Sequence, residues 1–300
     1  MKVVVTGATG HLGRAFVESL ADHEVVAVSR EGEDLGRAAG FAADLTDEAC
    51  VEYLATVLGE GVALVHLAAW HPAATASTTA DDRRRLLDTN VLGTMRALDA
   101  ARAAGGVECA IYASSFEVYG DVKSSPIDEG HPTYPRTDYG ATKLSGEHHF
   151  AAFGYEESIR TVALRMPAIY GPGEITSRAL PNFLRQVVGG ERPVVFGDGK
   201  DQRDQLHVRD AAAAIELSLE RGEGVYNVAD GEPHAVGEIA ALAMRIADLE
   251  GEPETRERTK ERQDFHMDIS KARDELGFAP AVTLEAGMRE QLEWLRGGAL

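Results

Sequence analysis

Short apolar runs alternate with longer helical patterns along the first half of the chain, and this alternation constrains the fold more than any other feature. The strand-like runs, rich in β-branched residues, lie at 2–7, 24–29, 63–68, 109–114 and 161–165. The helical patterns lie at 11–21, 47–58, 80–104 and 139–153. Strands that are apolar throughout are covered on both faces, as in parallel sheets. The sequence therefore predicts an α/β fold with a doubly wound parallel sheet.

A glycine-rich loop follows the first strand-like run. The stretch "VVVTGATGHLGRAF" places Gly7, Gly10 and Gly13 between that strand and the next helix. Glycines let the backbone approach a pyrophosphate closely, and a helix N-terminus supplies free N–H donors and positive potential. The spacing predicts a dinucleotide-binding unit of Rossmann type. An ordinary strand–turn–helix corner is the alternative interpretation.

The second half of the chain has a different pattern. After residue 165, Pro and Gly punctuate the sequence and helical stretches dominate. We therefore predict a dinucleotide-binding Rossmann domain over residues 1–167. Residues 168–300 are expected to form mainly a smaller, interleaved C-terminal α/β lobe that binds substrate. Segments such as 204–230 are expected to return to the first domain, because "GVYNVAD" (224–230) still has the pattern of a strand.

The composition excludes several classes of function. With 30 basic and 49 acidic residues, the formal net charge is −19, so we expect no binding to nucleic acid or to an anionic membrane. No apolar run approaches the roughly 20 residues that span a bilayer. The two cysteines, Cys50 and Cys109, form neither a disulfide scaffold nor a metal-binding pair, which favours a cytoplasmic location. The histidines have no metal-ligand spacing, so no metal is expected.

Two Tyr-x-x-x-Lys pairs occur, Tyr119 with Lys123 and Tyr139 with Lys143. The first pair ends a strand and enters "GDVKSSP", so its lysine is expected in a loop. The second pair begins a helical stretch, where a spacing of four places both side chains on one face. A nearby ammonium group favours the phenolate and lowers the pKa of a tyrosine. Tyr139 and Lys143 are therefore the predicted acid–base pair, with a chance surface pair as the alternative.

Further motifs follow one another along nearly the whole chain. They are "AADLTD" (42–47), "HLAA" (66–69), "NVLGT" (90–94), "SSFEVYG" (114–120), "LRMPAIYGPG" (164–173), "FGDGKDQRDQLHV" (196–208) and "DISKARDELGF" (268–278). Together with the glycine-rich loop and the second Tyr–Lys pair, they resemble the extended short-chain dehydrogenase/reductase family. Within it, the chain is most similar to the NAD-dependent epimerase/dehydratase group and to enzymes of the UDP-glucose 4-epimerase type.

The resemblance implies a role for each matching residue. Tyr139 is the expected acid–base residue, Lys143 anchors the nicotinamide ribose, Ser115 hydrogen-bonds the reacting oxygen, and Asp44 contacts adenine. The expected residues of the cofactor site are Gly7, Thr9, Gly10, His11, Leu12, Ser29, Arg30, Asp44, Leu45, Leu67, Ala68, Ala69, Asn90, Tyr139, Lys143 and Pro167.

The end of the second strand bears on the choice between NAD and NADP. NAD-specific relatives usually carry an acidic residue there, whereas this chain has Ser29-Arg30. A hydroxyl beside a guanidinium suits a 2′-phosphate, so NADP is favoured over NAD. Glu31, Glu33 and Asp34 follow closely, and a carboxylate that folds back would favour NAD instead.

The expected substrate-binding residues are Ser115, Phe116, Glu117, Arg203 and Arg258. By resemblance, the two arginines would grip the diphosphate of a nucleotide sugar, with surface arginines as the alternative. Relatives that bind a nucleotide sugar commonly have Asn at the position of Ala168, so a free sugar or another ketone is also an expected substrate. Family 4,6-dehydratases have an Asp-Glu pair after the catalytic Thr. Phe116 in place of that Asp predicts hydride transfer without loss of water.

The resemblance implies hydride transfer at a sugar carbon, by a nucleotide-sugar 4-epimerase or a closely related sugar oxidoreductase. One alternative is an NADP-dependent dehydrogenase or ketoreductase acting on a free or activated sugar, and another is a non-catalytic NAD(P)-sensing protein. Relatives dimerise through the helices that correspond to 80–104 and 139–153, so a homodimer is expected. Val91, Met95 and Leu98 recur at helical spacing and would supply an apolar stripe, unless they lie in the core of the monomer.

Overall fold

The computed structural model of the protein describes residues 1–72, 78–258, 262 and 264–298. Its strands are β1 (Lys2–Thr6), β2 (Glu24–Ser29), β3 (Ala39–Ala42), β4 (Val62–His66), β5 (Cys109–Ser115), β6 (Arg160–Met166), β7 (Ala168–Tyr170), β8 (Val194–Phe196), β9 (Gln202–Arg203), β10 (Gln205–His207), β11 (Gly224–Asn227), β12 (His234–Ala235) and β13 (Glu254–Arg256). Its α-helices are α1 (His11–Ser19), α2 (Cys50–Ala55), α3 (Ala80–Leu86), α4 (Gly93–Ala104), α5 (Asp138–Glu157), α6 (Ala179–Val188), α7 (Val208–Glu220), α8 (Val236–Ile246) and α9 (Leu284–Arg296). Leu87–Leu92 and Ala272–Leu276 are π-helical, and Phe116–Val118 is a 3₁₀ turn.

Seven strands form one sheet in the order β3-β2-β1-β4-β5-β6-β11. Every neighbouring pair is parallel; Val4 of β1, for example, lies between Val26 of β2 and Leu64 of β4. The strand order reverses at β1, and ligands of such sheets bind where it reverses, at the carboxyl ends of the strands. The arrangement confirms the predicted doubly wound α/β fold of Rossmann type.

Helices cover both faces of the sheet, which explains why its strands are apolar throughout. One face packs against α1 and α7, where Phe16 and Ile215 are fully buried. The other face packs against α2, α4 and α5, where Leu54, Leu98 and Phe150 are buried. Burial of a side chain of this size contributes roughly 1.5–3 kcal/mol. The two apolar layers therefore hold the sheet and its helices together.

Two elements differ from the sequence expectation. Strand β3, "AGFA", lies at the edge of the sheet and has no β-branched residue, so its sequence has no strand signal. The helical pattern at 47–58 shortens to α2, because Asp47 accepts a hydrogen bond from the backbone nitrogen of Ala49 at 3.0 Å and forms a turn there.

A second apolar cluster lies away from the sheet, between α6, α8 and α9. Leu184, Ile239 and Met288 are buried in it. Three two-stranded pairings, β7 with β10, β8 with β13 and β9 with β12, accompany these helices. Strand β11 lies beside β6 in the central sheet and α7 packs against α1, so the chain passes back from this lobe to the sheet. The boundary at residue 167 between the dinucleotide-binding domain and the substrate lobe stays a prediction.

Candidate active site at the carboxyl ends of the strands

The glycine-rich loop turns sharply between β1 and α1. Gly7 has a φ of +71°, and a Cβ there would lie 2.6 Å from the backbone nitrogen of Ala68. A Cβ on Gly13 would lie 2.2 Å from the carbonyl oxygen of Gly7, so this glycine allows α1 to pack against the loop. Gly10 is the N-cap of α1 and offers no side-chain cap. The first N–H groups of α1 are therefore available to a phosphate group.

A cavity of about 530 Å³ opens beside this loop. Trp70, Arg84 and Arg85 line it, and the Arg85 guanidinium lies 4.8 Å from the centroid of the Trp70 ring. A cavity of this size with mixed polar and apolar walls suits a dinucleotide. Nine of the predicted cofactor-site residues also line it: Gly7, Thr9, Ser29, Arg30, Asp44, Leu45, Leu67, Ala68 and Ala69.

The other predicted cofactor-site residues lie outside this lining. His11 joins the loop to the second lobe, with Nδ1 3.1 Å from Glu174 and Nε2 3.1 Å from the carbonyl oxygen of Pro172. Asn90 is buried in the π-helical turn, and its amide accepts from the backbone nitrogen of Trp70 at 2.7 Å. It also donates to the carbonyl oxygen of Trp70 and so fixes the loop after β4. The residues outside the lining are Gly10, His11, Leu12, Asn90, Tyr139, Lys143 and Pro167.

The end of β2 carries a hydrogen-bonded turn. Ser29 Oγ donates to Glu33 at 2.6 Å and accepts from the backbone nitrogen of Gly32 at 2.8 Å. The carboxylate that folds back is therefore Glu33, and the bond from Ser29 lowers the pKa of its carboxyl. Arg30 and Glu31 line the cavity instead. Because the one hydroxyl proton of Ser29 is used, a 2′-phosphate here would depend on Arg30.

Helix α5 carries both members of the predicted acid–base pair. Thr137 caps the helix by accepting a hydrogen bond from the backbone nitrogen of Gly140 at 2.9 Å. Lys143 is 3% exposed, and its Nζ donates to the carbonyl oxygen of Ala113 in β5 at 2.8 Å. The same Nζ lies 5.7 Å from the centroid of the Tyr139 ring. The two side chains therefore share the helix face that meets the end of β5.

Burial governs the charge state of this pair. It lowers the pKa of Lys143 to about 7, against the attraction of the Glu147 carboxylate. It also raises the pKa of Tyr139 above its ordinary value; the Arg178 guanidinium opposes this rise and the Glu117 carboxylate adds to it. The groups of the protein itself thus shift the Tyr139 pKa in the direction opposite to the sequence expectation. The reason is that the loss of hydration on burial, the largest cause, outweighs the opposing charge of Arg178.

The second Tyr-x-x-x-Lys pair lies in a different environment. Tyr119 is fully buried, its hydroxyl donates to the side-chain oxygen of Asn227 at 2.6 Å, and burial raises its pKa to about 12. Lys123 is exposed in the following loop, where its backbone nitrogen donates to His131. A tyrosine packed in the core cannot reach a ligand in the cleft.

Ser115 lies at the end of β5, next to α5. Its Oγ accepts a hydrogen bond from the backbone nitrogen of Glu117 at 3.2 Å. The preceding Ser114 donates to Glu147 of α5 at 2.5 Å, and Arg165 of β6 donates to both oxygens of that carboxylate at 2.7 and 2.9 Å. This buried network fixes the register of α5 against β5, and so the position of Ser115 relative to Tyr139.

A cluster of ionisable groups next to Tyr139 was not predicted from the sequence. The His71 ring lies edge-on to the Tyr139 ring, with 4.3 Å between centroids. His71 Nε2 is 3.6 Å from a Glu117 oxygen and 3.4 Å from an Arg178 nitrogen, and Thr137 donates to the other Glu117 oxygen at 2.7 Å. Burial raises the Glu117 pKa, but the bonds from His71 and Thr137 and the Arg178 charge outweigh it and lower this pKa. Glu117 is therefore ionised at neutral pH.

The remaining predicted substrate residues lie toward the second lobe. The Phe116 and Phe265 rings meet edge to face at 4.9 Å between centroids. The Arg203 guanidinium lies 5.4 Å from the centroid of Phe265, and burial lowers the Arg203 pKa. Arg258 forms ion pairs of 2.8 Å with Asp198 and Asp201, which follow β8. The structure thus connects Phe116 with Arg203, and it gives Arg258 carboxylate partners.

Among the residues that the structure describes, no group of three or more His, Cys, Asp or Glu side chains is placed to hold a metal ion. Within those same ranges, no helix is both long and apolar enough to cross a membrane.

Comparison with known proteins identifies the family. Residues 3–229 match the model of the NAD dependent epimerase/dehydratase family. A dTDP-glucose 4,6-dehydratase from Streptomyces griseus is 32% identical over 221 residues, which are 70% of this chain and 67% of that protein. A dTDP-glucose 4,6-dehydratase from an Actinoplanes species is 28% identical, over 99% of this chain and 98% of that protein.

Solved structures extend the likeness to the whole chain. A UDP-glucose 4-epimerase from Thermotoga maritima, solved with UDP-glucose, superposes with a TM-score of 0.88 at 27% identity and covers 100% of both chains. The UDP-glucose 4-epimerase of Thermus thermophilus, solved with NAD, gives a TM-score of 0.84 at 28% identity over 99% of each chain. The family match and the shared architecture confirm the prediction made from the motifs: the chain belongs to the NAD dependent epimerase/dehydratase family, as an enzyme of the extended short-chain dehydrogenase/reductase type.

Proposed function

We propose that the protein is a nucleotide-sugar 4-epimerase that uses a bound NAD(H). The observation that supports this most is the position of Tyr139 and Lys143, on one face of α5 at the carboxyl end of β5, the sheet edge at which the dinucleotide-sized cavity also opens. The glycine-rich loop fits the cofactor. A Cβ at Gly7 would collide with Ala68, and without it the backbone can approach a pyrophosphate closely. A nicotinamide bound in this cavity would accept a hydride from the sugar and return it.

Tyr139 would carry the proton of the reacting hydroxyl, and Ser115 would hydrogen-bond the same oxygen. Burial raises the Tyr139 pKa, so the phenolate needs a positive neighbour. Lys143 can provide it in its ammonium form, and its pKa of about 7 means that this form is gained or lost near neutral pH. Arg178 opposes the rise in the Tyr139 pKa from the other side. The pair would thus pass a proton between sugar and solvent in step with hydride transfer.

The proposed substrate is a sugar linked to a nucleoside diphosphate. Solved relatives hold UDP-glucose, and curated relatives are named for dTDP-glucose. Arg203, stacked over Phe265 beside Phe116, is the proposed phosphate contact. Arg258 is the second proposed contact, at which a phosphate would replace the ion pairs with Asp198 and Asp201.

Cofactor preference is proposed to depend on Arg30. The family is NAD-dependent, and the solved Thermus thermophilus relative holds NAD. The NADP preference was expected from Ser29 and Arg30 together. Ser29 already donates to Glu33, and Glu31 lines the cavity beside Arg30, so the argument for NADP now depends on Arg30. We propose that NADP(H) binds only insofar as Arg30 holds the 2′-phosphate.

A net sugar dehydrogenase or ketoreductase is the second candidate. It would use the same residues but release the reduced cofactor. The observation that favours it is Ala168 in β7, a position without an amide group to help hold a diphosphate.

Association as a homodimer in the cytoplasm is also proposed. Leu87, Leu92 and Met95 are 54%, 40% and 37% exposed along the helical stretch 80–104, so they offer an apolar surface to a second copy. Leu98, expected in the same stripe, is instead 1% exposed and packs in the monomer core. Cys50 and Cys109 are buried free thiols, which suits a reducing compartment.

One assay tests the function. The purified protein is incubated with NAD or NADP and a panel of UDP-glucose, UDP-galactose, dTDP-glucose and free glucose, and both reduced-cofactor absorbance and sugar products are followed. A 4-epimer without net absorbance supports the epimerase, whereas a stoichiometric rise in absorbance supports the dehydrogenase. If the wild-type protein gives neither signal with any sugar, both candidate functions are refuted. Tyr139→Phe is the control that is expected to be inactive.

A further inference from the structure

A wall of the cofactor cavity carries charged side chains that the proposed function does not use. This wall is α3 with the π-helical turn that continues it, and its charged lining residues are Asp81, Arg84, Arg85 and Asp88, here called the charged face of α3. We propose that the charged face of α3 binds the ribose and phosphate groups of the dinucleotide, with the two arginines on phosphate oxygens. The inference rests on the binding of NAD(H) in this cavity, which the proposed function requires.

The spacing of the four residues places them on one side of the helix. They stand at i, i+3, i+4 and i+7, the positions at which a helix of a globular protein carries the apolar residues that face the core. Here these positions are charged and line the cavity, while Leu86 on another side of the helix is buried. A charged stripe on the wall of a cavity suits a charged and hydroxylated ligand.

The two arginines are available to such a ligand. Asp81 stands four residues before Arg85, and Arg84 four residues before Asp88, a spacing at which helical side chains can pair. Within the part of the chain that the structure describes, neither arginine forms an ion pair with a carboxylate. The Arg85 guanidinium lies 4.8 Å from the centroid of the Trp70 ring, a contact that holds it at the cavity.

The charge of the protein explains why arginines are needed here. The formal net charge is −19, so the overall field repels an anionic dinucleotide. Gly7 and Thr9, the residues of the glycine-rich loop that line the cavity, offer no cationic side chain. Besides Arg30, which is proposed for a 2′-phosphate, the cations of the described lining are Arg84 and Arg85. They would supply local positive charge to phosphates that the first N–H groups of α1 hold.

The two aspartates favour a nucleotide over a bare anion. A carboxylate accepts hydrogen bonds and a ribose hydroxyl group donates them, so Asp81 and Asp88 match the sugar. A guanidinium donates in a planar fork that fits phosphate oxygens, so Arg84 and Arg85 match the phosphates. Carboxylates on both sides of the arginines would repel free phosphate. The order of charges along the stripe therefore fits ribose linked to phosphate.

The test measures binding rather than turnover. The full-length protein is dialysed to equilibrium against labelled NAD, alone and with ADP, adenosine or inorganic phosphate as competitor. Arg84→Gln combined with Arg85→Gln keeps two polar side chains and removes both charges. This variant should bind NAD and ADP about tenfold more weakly, the lower end for a hydrogen bond to a charged group, and adenosine less than about twofold more weakly. Inorganic phosphate should compete poorly with NAD for the wild-type protein.

The neighbouring arginine provides a matched control. Arg83 lies in the same helix but outside the cavity lining, and its guanidinium donates to the carbonyl oxygen of Thr78 at 2.9 Å. Arg83→Gln removes a positive charge from the same turn of α3, and it should leave NAD and ADP binding nearly unchanged. Arg84→Lys combined with Arg85→Lys keeps both charges and should recover most of the affinity.

Each outcome decides between the proposals. Wild-type affinity for NAD in the double glutamine variant, an equal loss in Arg83→Gln, or an equal loss of adenosine binding overturns the role of the charged face alone. The expected loss of NAD affinity, in a protein that forms no 4-epimer, supports this role and overturns the proposed epimerase. Absence of NAD binding by the wild-type protein overturns both.

Discussion

Asp204 provides a test of the structure that needs no substrate. It is 3% exposed, and one carboxyl oxygen accepts a hydrogen bond from the backbone nitrogen of Met267 at 2.5 Å. Burial raises its pKa to about 7; the Met267 bond opposes the rise, the Asp230 carboxylate adds to it and His234 opposes it. The substitution Asp204→Asn keeps the size and the acceptor but removes the ionisation.

The magnitude follows from the two pKa values. The carboxyl has a pKa of 3.8 in the unfolded chain and about 7 in the folded one. Between these values the unfolded chain releases the proton that the folded chain keeps, so a rise in pH favours unfolding. At about 1.4 kcal/mol for each pKa unit, roughly 4 kcal/mol of stability is lost across the whole titration, of which roughly 3 kcal/mol is lost between pH 5 and pH 8.

The assay is urea unfolding followed by tryptophan fluorescence at pH values from 5 to 8. The free energy of unfolding of Asp204→Asn minus that of the wild type should increase by roughly 3 kcal/mol from pH 5 to pH 8, because only the wild type loses stability as this carboxyl ionises. Asp22→Asn, a change at an exposed carboxylate before β2, serves as the control and should give a pH profile parallel to that of the wild type. Parallel profiles for Asp204→Asn and the wild type would refute the reasoning.

Three further predictions concern the proposed function. Tyr139→Phe should lower turnover on the order of 10²–10⁴-fold while Tyr119→Phe lowers it far less, and equal losses in steady-state assays would contradict the choice of Tyr139. Arg30→Ala should weaken NADP(H) binding by roughly 1.5–3 kcal/mol in calorimetry and leave NAD binding nearly unchanged; a wild-type protein that prefers NAD tenfold already argues against a phosphate contact. Met95→Glu should shift the protein from dimer to monomer in light scattering, and a wild-type monomer at every concentration would exclude the apolar surface on stretch 80–104 as an interface.

The sheet could be predicted from the sequence because its signal is local. Each long strand of the first half is an apolar run, and each glycine of the loop has a steric reason visible in the structure, such as the contact between a Cβ on Gly13 and the carbonyl of Gly7. The choice of Tyr139 over Tyr119 also rested on local features, since the first lies on a helix and the second ends a strand. Strand β3 could not be predicted, because its pairing with β2 and not its composition makes it a strand.

The cluster around Tyr139 could not be predicted because it is assembled from distant segments. His71 follows β4, Glu117 follows β5 and Arg178 precedes α6, so no spacing connects them. The direction in which the groups of the protein itself shift the Tyr139 pKa could not be predicted for a related reason. A Tyr–Lys spacing says that the two groups are near each other, but the balance between attraction and loss of hydration depends on how deeply α5 buries them.

Phe116 bears on whether the enzyme removes water from its sugar, as the curated relatives named 4,6-dehydratases do. Elimination needs a base at one carbon and an acid at the oxygen that leaves the next. Glu117 is ionised, so it stays the predicted base. The predicted position of the acid carries Phe116, whose ring packs against Phe265 at 4.9 Å and offers no proton.

We therefore expect the product from UDP-glucose or dTDP-glucose to keep the mass of the substrate or to lose only two hydrogens. A placed acid contributes on the order of 10²–10⁴ in rate. Phe116→Asp should therefore increase the rate at which the sugar loses water, by up to that factor. Phe116→Leu removes the same aromatic contact without adding an acid and is the matched control. Mass spectrometry of the reaction decides the point, because a wild-type product lighter by one water would mean that a group other than residue 116 protonates the leaving oxygen.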